Sequence, residues 1–94
     1  MTTWFVYIIR SADGSLYTGI TTDVQRRLNE HRIGGRKGSK YLRGKGPLKL
    51  EWSVPAATRS CALKAERQIK KLPKSAKEIL ITQTKPLPDL LNDL

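Results

Sequence analysis

The 94-residue sequence predicts an α+β fold with a small three-stranded antiparallel sheet flanked by helices, in the order β-β-α-β-α-α. Three observations support this prediction. Two short segments rich in aromatic and β-branched residues flank a glycine-containing turn near the N-terminus, and an alternation of apolar and polar residues marks a third strand in mid-chain. Helix-capping residues precede the amphipathic segments that follow the second and third strands. A chain of this length forms a single domain with one modest core.

The first two strands are predicted at residues 4–9 and 16–20, on either side of a turn at residues 12–14. A two-residue turn would place Tyr7 and Tyr17 on opposite faces of the hairpin. A three-residue loop would pair Tyr7 with Gly19 and bring both tyrosines to one face as diagonal neighbours. Propensity alone does not choose between these registers, but we favour the second because a glycine opposite Tyr7 leaves space beside its ring.

A helix is predicted from residue 23 to about residue 32, since residues 22–25 have the sequence of a capping box and glycines follow at 34 and 35. Helical periodicity places Leu28 and His31 on one stripe, with Arg27 at its edge. Arg26 and Glu30 point elsewhere. We therefore expect Arg27, and not its neighbour Arg26, to face the sheet.

Residues 34–47 contain five of the seven glycines, and this glycine-rich stretch is also strongly basic. They predict a mobile basic loop with a short turn near residues 39–43. The third strand follows, because four apolar residues alternate with polar ones. These four are Leu48, Leu50, Trp52 and Val54. Pro55 is expected to end the strand.

Two helices are predicted after the third strand. Ser60 can cap a helix that runs to about residue 72, with Glu66 on the margin of its apolar stripe. A second capping box opens a short helix over residues 75–83. We divide the chain into a domain of residues 1–85 and a leucine-rich tail of residues 86–94. The tail could dock on the domain, contact a partner protein or fray.

The charge distribution favours a polyanionic partner. The chain has 18 basic and 8 acidic residues, for a net charge of +10. Nine basic residues and one acid lie between residues 26 and 49, and such segregation favours a nucleic-acid-binding face over a merely solubilising surface. One cysteine and one histidine exclude an internal disulfide and a structural zinc site. The sequence contains no apolar run long enough to span a membrane, and we predict a cytoplasmic protein without membrane contact.

Five residues could together support phosphodiester hydrolysis, although each alone has an ordinary structural explanation. They are Tyr7, Tyr17, Arg27, His31 and Glu66. The tyrosines alone would be packing residues, His31 a hydrogen-bonded core residue, and Glu66 a partner of Lys70 at i+4. Hydrolysis needs a base for water, positive charge for the transition state, and usually a carboxylate-bound metal. A tyrosine, with a pKa near 10, serves as that base only if an arginine or a metal stabilises its phenolate.

These residues resemble the GIY-YIG nuclease superfamily. Val6-Tyr7-Ile8 is followed by Tyr17-Thr18-Gly19, by Arg27 and His31 on the next helix, and by Glu66 on a later one. The order of elements matches that fold over residues 3–72, and the chain is most similar to its small standalone members. Val6 and Thr18 depart from the family's motif, and neither position supplies the chemistry.

The resemblance implies a metal-dependent endonuclease that hydrolyses DNA in a structure-directed, not sequence-specific, manner. It implies that Tyr7 is the general base, that Arg27 and Tyr17 orient the scissile phosphate, and that Glu66 holds one Mg²⁺ or Mn²⁺. His31 would position or relay a proton near the phenols. Several members also have a late asparagine, for which Asn29 and Asn92, the two asparagines present, are poorly placed.

Further basic and aromatic residues are expected to bind the nucleic acid, with DNA favoured over RNA. They are Arg26, Arg36, Lys37, Lys40, Tyr41, Arg43, Lys45 and Lys70. The alternative function is a noncatalytic nucleic-acid-binding module on the same scaffold. A third hypothesis is a protein-interaction module that uses the tail.

Overall fold

The structure, a computed structural model, describes residues 2–34 and 37–83. Six elements follow one another in the predicted order β-β-α-β-α-α, which confirms the fold class. The strands are β1 (Trp4–Arg10), β2 (Leu16–Thr21) and β3 (Lys49–Ala56), and the helices are α1 (Val24–Ile33), α2 (Arg59–Lys70) and α3 (Lys74–Leu80). Arg36 and the tail at residues 86–94 lie outside the described residues. No helix in the described ranges is long and apolar enough to cross a membrane.

The sheet has the order β2-β1-β3 and is antiparallel throughout, with β1 in the centre. Because helices or the loop before β3 cover both of its faces, β1 is apolar on both sides, and the apolar residues divide into two cores. The first core lies against α2 and α3 and includes Val6, Ile8, Leu16, Trp52, Val54, Ala62, Ala65, Ile69 and Leu80. The second lies against α1 and that loop and contains Tyr7, Ile9, Leu28, Leu42 and Leu48.

The hairpin adopts the favoured register, in which Tyr7 pairs with Gly19 and Ile9 with Tyr17. The Ser11 N–H donates to the Ser15 carbonyl at 2.9 Å and closes a three-residue loop. Gly14, the last residue of this loop, has a φ of 86°, a conformation that side-chain-bearing residues rarely adopt. The two tyrosines therefore lie on one face of the sheet, as predicted.

The third strand continues through Pro55 to Ala56, so the prediction that Pro55 ends it is wrong. Pro55 pairs with Phe5 in the β1–β3 ladder. A proline lacks the N–H that a central strand must donate, but β3 is an edge strand of the described sheet, where this loss is tolerated.

A β-bulge divides the apolar residues of β3 between the two cores. Trp52 pairs with Ile8 whereas Leu50 pairs with Ile9, which leaves Glu51 as an extra residue between them. The bulge reverses the facing of the strand, so Trp52 belongs to the first core while Leu50 packs against the second. A regular strand would have turned its alternating apolar residues to one face and left the other core unfilled.

The helices begin at different residues from those predicted. Asp23, not Thr22 of the capping box, caps α1, because its carboxylate accepts the Arg26 N–H at 3.0 Å. Thr58 caps α2 in place of Ser60, and its hydroxyl accepts the Cys61 N–H at 3.1 Å.

The short helix α3 begins at Lys74, directly after Pro73 and one residue before the predicted start, and it ends at Leu80, not near residue 83. A proline just before the first helical turn costs no hydrogen bond, since the N–H groups there have no helical acceptor. Two bonds between the Arg10 guanidinium and the Glu78 carboxylate, at 2.8 and 2.5 Å, tie α3 to the end of β1.

Residues 37–47 of the basic loop are anchored to the domain. The predicted turn is present, with the Leu42 N–H donating to the Ser39 carbonyl at 3.2 Å. Leu42 is 2% exposed and packs in the second core. The Ala12 N–H donates to the Lys45 carbonyl at 2.8 Å. These contacts fix the loop beside the hairpin.

The Thr18→Val variant is expected to be more stable than the wild type by about 1 kcal/mol in urea unfolding. Thr18 is 2% exposed, and its Oγ1 has no hydrogen-bond partner among the described residues, so its burial is uncompensated. Thr21→Val is the control, because the Thr21 hydroxyl accepts the Asp23 N–H at 3.1 Å and its removal should destabilise the protein. Equal destabilisation by both substitutions would show that Thr18 Oγ1 is satisfied.

Candidate active site

Tyr7 extends from the central strand across the backbone of Gly19 on β2. A methyl group at Gly19 would overlap the phenol ring, so this position needs glycine for close approach and not for its backbone angles. Because β2 is an edge strand of the described sheet, the hydroxyl of a residue in the middle of the sheet comes near the sheet's edge. This geometry explains the space that the sequence predicted beside the ring.

Three aromatic side chains form a cluster with Tyr7. His31 and Tyr17 lie next to Tyr7, and Tyr41 packs on Tyr17. His31 Nε2 lies 3.0 Å from Tyr7 Oη, within hydrogen-bond distance. The Tyr17 ring lies 6.4 Å from the Tyr7 ring and 5.4 Å from the imidazole, measured between centroids. Tyr41, from the basic loop, stacks on Tyr17 at 5.8 Å. The structure thus brings Tyr7, Tyr17 and His31 together as predicted.

Arg27 joins this cluster from the neighbouring turn of α1. Its guanidinium interacts with the Tyr7 hydroxyl, donates from Nη1 to Glu30 Oε1 at 3.0 Å, and also donates to the Lys37 carbonyl. Arg26 is exposed, so the predicted preference for Arg27 is confirmed. The expectation that Glu30 points elsewhere is wrong, and its i+3 spacing from Arg27 was the signal that could have found this ion pair.

Glu66 approaches from α2, which packs against β1 and β2 on the opposite face of the sheet. Its side chain is 18% exposed and lies 3.6 Å from the Lys70 ammonium. Burial is the main cause of the raised pKa of Tyr7, and the Glu66 charge adds a small contribution in the same direction. Glu66 therefore makes the ordinary i+4 ion pair and contributes to the field at the phenol.

Burial shifts the pKa of both central groups in the direction that favours their uncharged forms. Burial, and secondly the neighbouring Tyr17, raises the pKa of Tyr7 to about 12, although the Arg27 guanidinium opposes this shift. Burial, and secondly the positive charge of Arg27, lowers the pKa of His31 to about 4. Tyr7 is a phenol and His31 a neutral imidazole near pH 7.

The predicted nucleic-acid-binding residues do not all lie on one surface. Lys37, Lys40 and Arg43 are exposed on the basic loop, on the same side of the sheet as α1. Lys45 pairs with Asp13 at 3.6 Å and lies 4.0 Å from the centre of the Tyr41 ring. Lys70 is on α2, on the other side of the sheet.

Two features of this region were not predicted from the sequence. The Ser39 N–H donates to His31 Nδ1 at 3.2 Å, a contact that depends on loop geometry and leaves no sequence signal. A cavity of about 560 Å³ lies beside His31, between the end of α1 and the basic loop. Arg32 and Arg43 line it, together with apolar groups such as Leu42 and Pro47.

The low pKa of His31 predicts a loss of stability in acid. In the unfolded chain His31 has a pKa near 6.5 and binds a proton below that pH. In the folded protein it binds this proton only near pH 4 and below. The free energy of unfolding should therefore fall as the pH drops from about 6.5 to about 4, and this component should be missing in His31→Gln. Urea unfolding of both proteins at several pH values measures it. NMR titration of the single imidazole provides the check, since a midpoint near 6.5 would contradict the prediction.

Comparison with known proteins agrees with the resemblance. The GIY-YIG catalytic domain model matches residues 3–79. The UPF0213 protein YhbQ of Escherichia coli O127:H6 is 53% identical over 94 residues, which cover 100% of this chain and 92% of that protein. The corresponding protein of E. coli O139:H28 is 52% identical over the same coverage.

A solved structure is also similar. The solution NMR structure of the UPF0213 protein BH0048 from Bacillus halodurans superposes with a TM-score of 0.55 at 41% sequence identity, over 85% of this chain and 83% of that one. The family is of the nuclease type, and it implies a nucleic acid as substrate. With its catalytic-domain match and these relatives, the chain belongs to the GIY-YIG family and is similar to the UPF0213 proteins within it.

Proposed function

We propose that this protein is a divalent-metal-dependent endonuclease that hydrolyses phosphodiester bonds in DNA. The observation that carries the proposal is the convergence of Tyr7, Tyr17, Arg27 and His31 on one surface, with the charge of Glu66 acting on the same phenol. This set contains a proton acceptor, phosphate-binding donors and a carboxylate. These are the components that hydrolysis of a phosphodiester requires.

Tyr7 is the proposed general base. Its phenol first loses its proton to solvent, and the phenolate then takes a proton from the attacking water as the water oxygen bonds to phosphorus. The bond between phosphorus and the leaving oxygen breaks in the same displacement, and the leaving oxygen takes up a proton from solvent. With a pKa raised to about 12, the phenol needs positive charge nearby to ionise. Arg27 supplies part of that charge, since its interaction with the hydroxyl lowers the pKa.

Arg27 and Tyr17 are the proposed phosphate ligands. Arg27 Nη1 donates both to the Glu30 carboxylate and to the Lys37 carbonyl, and these two bonds fix the orientation of the planar guanidinium. A guanidinium fixed in this way is suited to phosphate oxygens. Tyr17 is held between His31 and Tyr41 by ring contacts, so its hydroxyl is also well positioned.

Glu66 is the proposed metal ligand. The described residues contain no group of three or more histidine, cysteine, aspartate or glutamate side chains that could hold an ion. A single carboxylate still fits Mg²⁺, or similarly Mn²⁺, because Mg²⁺ commonly takes one or two carboxylates and completes its shell with waters and substrate phosphates. A bound cation would supply positive charge to the leaving oxygen and to the Tyr7 phenolate.

The basic loop, with Arg26 beside it, is the proposed nucleic-acid-binding surface. Lys37, Lys40 and Arg43 are exposed on it, and Tyr41 is 48% exposed, with the Lys45 ammonium over its ring. Lys70 is a proposed contact from the α2 side. Contacts of this kind read the phosphate backbone and its shape, so we propose structure-directed recognition.

The proposed domain comprises residues 1–85, and the tail at residues 86–94 remains a proposed contact for a partner protein. The family model ends at residue 79, which supports a catalytic unit without the tail. We propose a cytoplasmic location, where the exposed thiol of Cys61 would stay reduced.

A noncatalytic nucleic-acid-binding module is the second candidate. It is favoured by the burial of Tyr7, which raises the pKa of the phenol to about 12 and so makes the phenolate that the proposed base needs harder to form. In that case the aromatic cluster would only bind, and divalent metals would have no effect on the nucleic acid.

Substitution of Glu66 separates the two functions. Glu66→Gln and Tyr7→Phe are expected to lower the cleavage rate of labelled DNA in Mg²⁺ or Mn²⁺ by about 100-fold or more. Binding in EDTA should change little, because neither side chain is a principal phosphate contact. The assay uses duplex, nicked, branched and single-stranded DNA together with RNA.

Glu51→Gln is the matched control, since the Glu51 side chain is 15% exposed, pairs with Lys49 at 3.4 Å and with Arg10 at 3.5 Å, and lies on β3, away from the cluster. Its cleavage rate should equal that of the wild type. Binding by the wild type without cleavage in either metal would instead support the noncatalytic module.

Removal of basic-loop charges should weaken binding. The triple variant Lys37→Ala, Lys40→Ala and Arg43→Ala should bind DNA less tightly, and the slope of log K against log salt should become shallower by about 0.9 for each lost phosphate contact. The control triple changes three exposed basic residues on α2 or at its C-cap, with the same loss of charge. They are Lys64, Arg67 and Lys71. Equal losses in both triples would indicate a general charge effect and contradict the proposed surface.

A further inference from the structure

A chain of two hydrogen bonds links the basic loop to Tyr7. The backbone N–H of Ser39 donates to His31 Nδ1 at 3.2 Å, and His31 Nε2 lies 3.0 Å from Tyr7 Oη. His31 is 3% exposed, so these two groups are its principal polar neighbours within the described residues. The imidazole is thus held at both nitrogens.

The first bond determines which nitrogen carries the proton. A backbone N–H is a donor only, so Nδ1 must present its lone pair to Ser39. A neutral imidazole has a single N–H, which is then on Nε2. The pKa of His31, lowered to about 4 mainly by burial, agrees with a neutral ring near pH 7.

We propose that Ser39 is a positioning residue whose backbone amide holds His31 in the Nε2–H tautomer, so that His31 donates a hydrogen bond to the Tyr7 oxygen and does not accept the phenol proton. The tautomer itself depends only on the geometry of the three residues. Its catalytic consequence rests on the proposed function, in which Tyr7 is the base.

The direction of this hydrogen bond changes the role of His31. A histidine that accepted the Tyr7 proton would compete with solvent for it and would become a buried cation next to Arg27. As a donor, His31 instead stabilises the phenolate, because a hydrogen bond to the charged form of a group favours that form. The phenol proton then leaves to water, and the phenolate oxygen keeps the Nε2–H bond and the nearby guanidinium charge.

Ser39 is well held for this task. Its carbonyl accepts the Leu42 N–H at 3.2 Å, and its hydroxyl accepts the Tyr41 N–H at 3.2 Å. Leu42 is buried in the second core, and Tyr41 stacks on Tyr17. The segment that carries the proposed DNA-binding lysines therefore also sets the hydrogen bonding of the proposed base.

The test is direct, because the chain contains one histidine. A long-range ¹H–¹⁵N NMR spectrum near pH 7, without metal or nucleic acid, distinguishes the two tautomers by which ring nitrogen has the shift of a protonated nitrogen. We expect Nε2 to be protonated in the wild type. A wild-type spectrum with the proton on Nδ1 would overturn the proposal, whatever the protein's activity.

Two variants isolate the amide. Ser39→Pro removes the N–H, whereas Ser39→Ala keeps it and removes only the hydroxyl. The tautomer should stay Nε2–H in Ser39→Ala and become mixed in Ser39→Pro. Retention of the pure Nε2–H form in a folded Ser39→Pro protein would show that Ser39 does not set the tautomer. If Ser39→Pro fails to fold, the wild-type spectrum still decides the direction of the bond.

Cleavage assays test the catalytic consequence separately. At saturating DNA, where a difference in binding does not affect the rate, Ser39→Pro is expected to cleave roughly 10-fold to 100-fold more slowly than Ser39→Ala. Equal cleavage rates together with a mixed tautomer would overturn the catalytic role of Ser39. Absence of cleavage by the wild type would refute the proposed function, and the NMR spectrum would still decide which tautomer His31 adopts.

Discussion

The close approach of the Tyr7 ring to the backbone of Gly19 is the contact on which the candidate site depends. Tyr7 starts from the centre of the sheet, and only a neighbour without a side chain lets its hydroxyl extend over β2. The hairpin register places this glycine opposite Tyr7, and the three-residue loop sets that register. A slip of one residue would turn Tyr17 to the other face, away from His31. The loop that ends at Gly14 therefore determines, through the register, which side chains meet in the aromatic cluster.

At this cluster, burial raises the pKa of Tyr7, whereas the positive charge of Arg27 lowers it. Packing Tyr7 and His31 between α1 and the sheet contributes apolar contact to the second core, and it also favours the uncharged form of each group. Arg27 is charged there, as arginine is at any pH near neutral, and Glu30 and a backbone carbonyl hold its guanidinium in place. The cluster in the protein alone is thus a stable, nearly neutral arrangement with one fixed cation. In the proposed reaction, substrate and metal would shift that balance towards the phenolate.

Much of this arrangement could be predicted from local sequence patterns. The small residue opposite Tyr7 favoured the correct register, and helical periodicity selected Arg27 and His31 because both depend on regular geometry. The bulge at Glu51 could not be predicted, since it follows from the need to fill two cores from one edge strand. The Ser39 amide was also beyond prediction, because its position depends on how an irregular loop packs around Leu42. Glu66 lies between these cases. Its position on the margin of an apolar stripe indicated partial burial, but only the fold shows that α2 carries it on the face of the sheet opposite to α1.

The division into two cores also separates the chain's chromophores. Trp4 and Trp52, the two tryptophans, belong to the core against α2 and α3, whereas Tyr7 and Tyr17 belong to the other core and Tyr41 stacks on Tyr17. Tryptophan fluorescence, excited at the long-wavelength edge of the absorption band, therefore reports on the half of the molecule that contains α2 and α3. Tyrosine absorbance reports on the half that contains the aromatic cluster. A rearrangement confined to the aromatic cluster would alter the tyrosine spectrum while the tryptophan emission stays constant. The two halves of the molecule can therefore be followed separately by their own absorption and emission.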